Sequence, residues 1–133
     1  MSYDLSDKTA LVTGASRGIG AAIARSLANS GASVIAHYSS FEQGAVDNMI
    51  GIPDSNKSFI KQDLSKAGAG RNLWQQALNE RPKIDIFINN KTNNSVYFEY
   101  MPLVGFEIES SFVSLKTSNL FISFLMIFEN NLF

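Results

Sequence analysis

The densest group of residues able to do chemistry is Thr13-Gly14-Ala15-Ser16-Arg17-Gly18-Ile19-Gly20, with glycines spaced G-x-x-x-G-x-G. This spacing suits a phosphate. Gly14 can take a turn that a bulky residue resists, Gly18 lets a pyrophosphate reach the backbone, and Gly20 lets a following helix lie close to a sheet. The free N–H groups opening that helix, carrying about half a positive charge, would face the phosphates. The alternative is a glycine-rich turn that merely joins two elements; its position between a predicted strand and a predicted helix favours the phosphate reading. Other chemistries lack material: His37 is the only histidine, so neither a metal cluster nor a serine–histidine triad has a second imidazole. With no cysteine there is no disulfide frame and no thiolate metal site.

The turn needs a strand before it and a helix after it. Thr9 to Thr13 is a short apolar run ending at Gly14, as expected of a strand buried on both faces. From Gly18 onward Ile19, Ile23 and Leu27 recur at helical spacing with Ala22 on the same stripe, small alanines on the remaining faces allow close packing, and Gly31 offers a left-handed stop. Ala32 to Tyr38 reads as a second strand. Glu42 to Ile50 reads as a second helix, with Ala45, Val46, Met49 and Ile50 on one face before Gly51 and Pro53 break it. Ser58 to Gln62 is strand-like. Ala69 to Glu80 gathers Leu73, Trp74, Ala77 and Leu78 on one helical face, where an apolar stripe is expected to be core, and Pro82 ends it. Ile84 to Ile88 makes a fourth strand. Alternating strands and helices predict an α/β fold with a doubly wound parallel sheet built from right-handed crossovers.

Composition narrows the class. The chain has 133 residues, 45% of them hydrophobic and 17% charged, with 11 basic against 12 acidic side chains. That balance excludes a disordered acidic tail, a basic nucleic-acid arm and a low-complexity fibre, and predicts one domain. Every alanine lies at or before Ala77 and eight of the nine glycines precede Arg71, whereas eight of the ten phenylalanines lie at or after Phe87. The chain therefore reads as a segment of about 1–90 and a divergent apolar tail, 91–133. The amino terminus mixes charges too early for a secretion signal, and the apolar run Leu120 to Phe128 is nine residues long where a spanning helix needs about twenty. A cytoplasmic protein without a membrane span is expected.

Thr13 to Gly20, Asp63 in Gln62-Asp63-Leu64, and the pair Asn89-Asn90 after the fourth strand, in this order, resemble the short-chain dehydrogenase/reductase family over about residues 6–90. The resemblance implies a Rossmann-like domain whose glycine turn, through Gly14, Ser16, Arg17, Gly18, Ile19 and Gly20, binds a nicotinamide dinucleotide. It implies that Asp63 contacts adenine and that Asn89 and Asn90 support the sheet and border the adenosine ribose. The family's Asn-Asn-Ala-Gly motif reads Asn89-Asn90-Lys91-Thr92 here. An acidic residue about twenty positions past the turn would accept bonds from a ribose 2′-hydroxyl and repel a 2′-phosphate. His37-Tyr38-Ser39-Ser40 stands there instead, the first acid being Glu42. Arg17 lies where phosphate-preferring members of the family carry a basic residue, so NADP is favoured over NAD; a solvated surface arginine is the alternative. His37 is expected as a polar rim residue near the adenosine 2′ position, with Tyr38 and Ser39 beside it.

Beyond Thr92, Phe112 to Phe121 resembles the family's fourth long helix, on which Asn119 would be the active-site asparagine that helps hold a water in the proton relay. A mid-helix polar residue with no such duty is the alternative. Family catalysis uses a serine after a fifth strand and a Tyr-x-x-x-Lys helix, and no Tyr-x-x-x-Lys occurs in these 133 residues. The resemblance thus implies the N-terminal, cofactor-binding half of a reductase of 3-oxoacyl thioesters or similar ketones, with turnover impaired. The alternatives are a non-catalytic nucleotide-binding or interaction module and a poorly folded remnant. The fourth strand would be left with a bare edge, open to homo-oligomerisation or to pairing with a full-length relative through the apolar tail, unless the tail folds back over it.

Overall fold

The computed structural model describes residues 4–91, 115–117 and 120–127. In chain order the elements are β1 (Thr9–Val12), α1 (Gly18–Asn29), β2 (Ser33–Tyr38), α2 (Glu42–Asn48), a 3-10 turn (Asp54–Asn56), β3 (Lys57–Lys61), α3 (Ala69–Glu80), β4 (Ile86–Lys91), β5 (Leu115–Thr117) and β6 (Leu120–Ile127). They form one sheet in the order β3-β2-β1-β4-β6-β5. The first four strands are parallel, each reached through a helical crossover, as the alternating pattern predicts.

Alternation along the strands divides the core into two layers. Ala10, Val12, Val34, Ala36, Ile86 and Ile88 face one way, against Ala24 and Ala28 of α1 and Met49 after α2. Leu11, Ile35, Ile60 and Phe87 face the other way, against Leu73 and Ala77 of α3. Trp74 and Leu78 are half-buried at the border of this second layer, with the Trp74 ring edge-on to Phe87 at 5.8 Å. Both faces of the parallel sheet are thus covered, which is why its inner strands carry the apolar runs Ala10–Val12, Val34–Ala36 and Ile86–Ile88. The carboxylate of Asp85, buried just before β4, fastens the start of the β1–β4 pair: it accepts from the Thr9 N–H at 2.9 Å and pairs with Lys83 at 2.8 Å.

Two expectations about faces are corrected. In α1 the residues seated on the sheet are Gly20, Ala21, Ala24 and Ala28, while Ile23 and Leu27 flank them, and Ile19 and Ala22 are exposed. The smallest side chains set the closest approach of helix to sheet, so they and not the largest ones mark the inner face. In α2, Ala45 and Met49 are buried but Val46 and Ile50 are exposed, and the helix ends at Asn48.

The tail differs more. The helix expected over Phe112 to Phe121 is replaced at its described positions by strand, at Leu115–Thr117 and from Leu120 on. β6 runs antiparallel to β4, pairing Ile86 with Ile127 and Lys91 with Phe121 across a register shift between Ile88 and Asn90. β5 then pairs with β6. The bare edge of β4 carries backbone donors and acceptors that a helix cannot satisfy, and a run rich in Phe, Ile and Leu suits a strand. Of the two fates open to that edge, fold-back by the tail is the one found. Among the described residues no helix is long and apolar enough to cross a membrane.

Candidate functional site

Because β1 to β4 are parallel, the segments leaving their C-terminal ends gather along one edge of the sheet, the usual ligand edge of such folds. The glycine turn leaves β1 there. Gly14 has φ +63° and Gly18 φ +58°, the left-handed region that a side chain resists. At Gly18 a Cβ would meet nothing within 4 Å, so the backbone there faces open space. α1 begins with no side-chain cap and no acid in its first turn, and its first internal bond runs from the Ala21 N–H to the Arg17 carbonyl at 3.3 Å. The amides of Gly18, Ile19 and Gly20 therefore have no partner within the helix and form a ready anion site. Ser16 is half-buried; Arg17, Gly18 and Ile19 are exposed.

The turn is held from the β4 side. The Asn90 N–H donates to the Thr13 hydroxyl oxygen at 2.9 Å, and the Asn90 side-chain amide donates to the Gly14 carbonyl at 3.3 Å. The Asn89 side-chain oxygen lies 3.4 Å from the Thr13 hydroxyl. A Cβ on Gly20 would collide with the Gly14 carbonyl and the Asn90 amide, so the close approach foreseen for this glycine is real and Asn90 fills the space it leaves. Thr13 is the residue here whose part is clearest only in three dimensions: a buried hydroxyl linking the end of β1 to Asn89 and Asn90.

His37 does not stand on the rim. It is 3% exposed. Its Nδ1 accepts from the Gly14 N–H at 3.1 Å, and its Nε2 lies 2.8 Å from the Gln62 carbonyl. That pair of partners requires a neutral ring with the proton on Nε2, which donates to Gln62. Burial pushes its pKa below the ordinary 6.5, opposed by the bond to Gln62. The ring is thus a tie between the glycine turn, β2 and the end of β3, with both nitrogens engaged inside the protein. A lone histidine at a strand end carries no sequence signal for this.

Tyr38 is buried in its ring; burial raises its hydroxyl pKa, and the Glu42 carboxylate beside it adds to the rise and accepts its hydrogen bond. Ser39 is exposed. Asp63, two residues past β3, is exposed; its Oδ1 accepts from the Ser65 N–H at 3.0 Å and the Ser65 hydroxyl at 2.6 Å, which hold its carboxyl below the usual range. Arg17 has no ion pair or side-chain hydrogen bond among the described residues, and its guanidinium carbon sits 5.6 Å from the centre of the Phe41 ring. Phe41 and Gly44, at the start of α2, were not legible as site residues, since nothing in their spacing points at the turn. Asn119 lies outside the described residues.

Comparison with known proteins agrees with this geometry. A sequence model of the short chain dehydrogenase family matches residues 8–106. An uncharacterised oxidoreductase of Methylorubrum extorquens is 40% identical over 88 residues, which are 65% of this chain and 36% of that protein. A hydroxynaphthalene reductase-like protein of Metarhizium robertsii is 43% identical over 88 residues, 65% of this chain and 33% of its own length. The chain thus spans about a third of the curated relatives it matches. Among solved structures, a short-chain dehydrogenase of Burkholderia cenocepacia in complex with NADP superposes with a TM-score of 0.62 at 37% identity, covering 68% of this chain and 38% of that one. An angucycline C-6 ketoreductase with bound NADP gives 0.60 at 37% identity, over 70% and 39%. The matched span takes in the glycine turn and all four parallel strands, and on that ground the chain belongs to the short-chain dehydrogenase family.

Proposed function

We propose that this chain binds NADP(H) along the glycine turn, as the cofactor-binding part of an oxidoreductase that moves hydride between NADP(H) and a carbonyl or alcohol substrate, such as a 3-oxoacyl thioester. The observation that carries the reading is the meeting of the uncapped amides of Gly18 to Gly20 with the unpaired Arg17 guanidinium, at a strand end where no acid precedes Glu42. The pyrophosphate would take the amides, Arg17 the 2′-phosphate, and Asp63 the adenine. Asn90 and His37 would act from beneath, by fixing Gly14. NADP-bound relatives support the choice of cofactor.

The 133 residues hold no Tyr-x-x-x-Lys, the pair that in this family gives a proton to the carbonyl oxygen as hydride reaches its carbon. Without a positioned general acid, reduction by these residues alone should run about a hundred- to ten-thousand-fold below a complete family enzyme. Calorimetry tests the binding. NADPH should bind the folded chain about ten- to hundredfold more tightly than NADH, the worth of one charge-assisted bond from Arg17. Absence of any NADPH heat with folded protein would overturn the assignment.

A further inference from the structure

We propose that Phe41 is a specificity-positioning residue: its ring holds the Arg17 guanidinium in place for a 2′-phosphate, so that discrimination between NADP(H) and NAD(H) depends on an aromatic residue from the β2–α2 connection. This rests on the reading that the glycine turn binds a dinucleotide. Arg17 stands in the β-region at the N-cap of α1, and its guanidinium carbon lies 5.6 Å from the Phe41 ring centre, within the range of cation–π attraction. Phe41 is 46% exposed and is absent from both core layers, so packing does not account for a phenylalanine there.

The two tasks of the guanidinium do not compete. An aromatic ring takes its flat face, whereas phosphoryl oxygens take the N–H groups at its edge. Those N–H groups meet no carboxylate or carbonyl among the described residues, which leaves the whole fork for an anion. Glu42, the acid next to Phe41 in the chain, accepts from the Tyr38 hydroxyl instead. Gly44 completes the arrangement. A Cβ there would strike both the Phe41 ring and the Ser16 carbonyl, so the missing side chain is what lets the ring lie beside the turn that carries Arg17.

The test is a set of NADPH and NADH titrations on the full chain. Phe41→Leu keeps an apolar side chain but removes the quadrupole, and should lower NADPH affinity about two- to fivefold while leaving NADH affinity unchanged. Phe41→Trp should keep the NADPH preference. With Arg17→Ala already in place, Phe41→Leu should change nothing further. Equal losses for both cofactors, a loss that persists without Arg17, or no loss at all in a protein that still binds NADPH would each overturn the role of Phe41 while leaving the cofactor assignment intact. If the unmodified chain binds neither dinucleotide, both readings fall.

Discussion

His37 shows how one side chain can join cofactor binding to stability. Its neutral ring accepts at Nδ1 from Gly14 and donates at Nε2 to Gln62, so a second proton on the ring must break the bond to Gly14. Burial lowers its pKa in the folded protein, whereas the unfolded chain titrates near 6.5. Below that value the unfolded state binds more protons, so stability falls as the pH drops through the window under 6.5 and is fully present above it. The carboxyl of Asp63 is also lowered, but its contribution is lost only below 3.8, which keeps the two windows apart. Urea midpoints measured from pH 8 to pH 5 should be flat at the alkaline end and decline below about 6.5. Replacement His37→Asn should flatten that decline, because asparagine can still accept from Gly14 without titrating. A midpoint independent of pH down to 5 in the unmodified chain would show that the ring is not held neutral.

At the scale of elements, the joint between α1 and the sheet decides whether the turn keeps its shape. Replacing glycine by alanine inside an exposed helix gains about 1 kcal/mol of helix propensity. At Gly20 the added methyl meets the Gly14 carbonyl and the Asn90 amide, both part of the turn itself, and overpacking of this kind costs about 1–3 kcal/mol. Gly20→Ala should therefore lower the urea midpoint instead of raising it, and weaken NADPH binding as well; a more stable variant with unchanged affinity would show that the joint is slack. The sequence announces such a joint through the glycine spacing, and it announces β1, β2 and α3 through runs and stripes that burial alone explains. Ala69–Glu80 appears with the bounds read from its apolar face and Pro82. What it does not announce depends on partners far along the chain. Ile19 looks like an inner-face residue by spacing, yet a helix that must touch the sheet turns its glycine and alanines inward. The imidazole of His37 is buried because Gly14 and Gln62 offer it two backbone partners, one 23 residues before it and the other 25 after it. Leu120–Ile127 is a strand because β4 has an open side, a fact of topology that no local propensity carries.

For the whole molecule the question is what closes the sheet beyond β4. In the parallel set β3-β2-β1-β4, an unpaired β4 would present a row of unsatisfied N–H and C=O groups, which invites pairing with a second chain. β6 occupies that side along most of its length, from Ile86 opposite Ile127 to Lys91 opposite Phe121. β6 therefore acts as an internal cover for the β4 edge. It also bears on the glycine turn, since Asn90, which anchors Gly14 and lies under Gly20, sits in the very stretch of β4 that β6 braces at Ile122. Removing residues 120–133 should have two coupled consequences. Light scattering should report concentration-dependent association through the exposed β4 edge, and the fraction that stays monomeric should bind NADPH more weakly as Asn90 loses its brace. A deletion that leaves a well-behaved monomer of unchanged affinity would mean that β6 contributes nothing to closing the sheet, and that the four parallel strands hold the turn unaided.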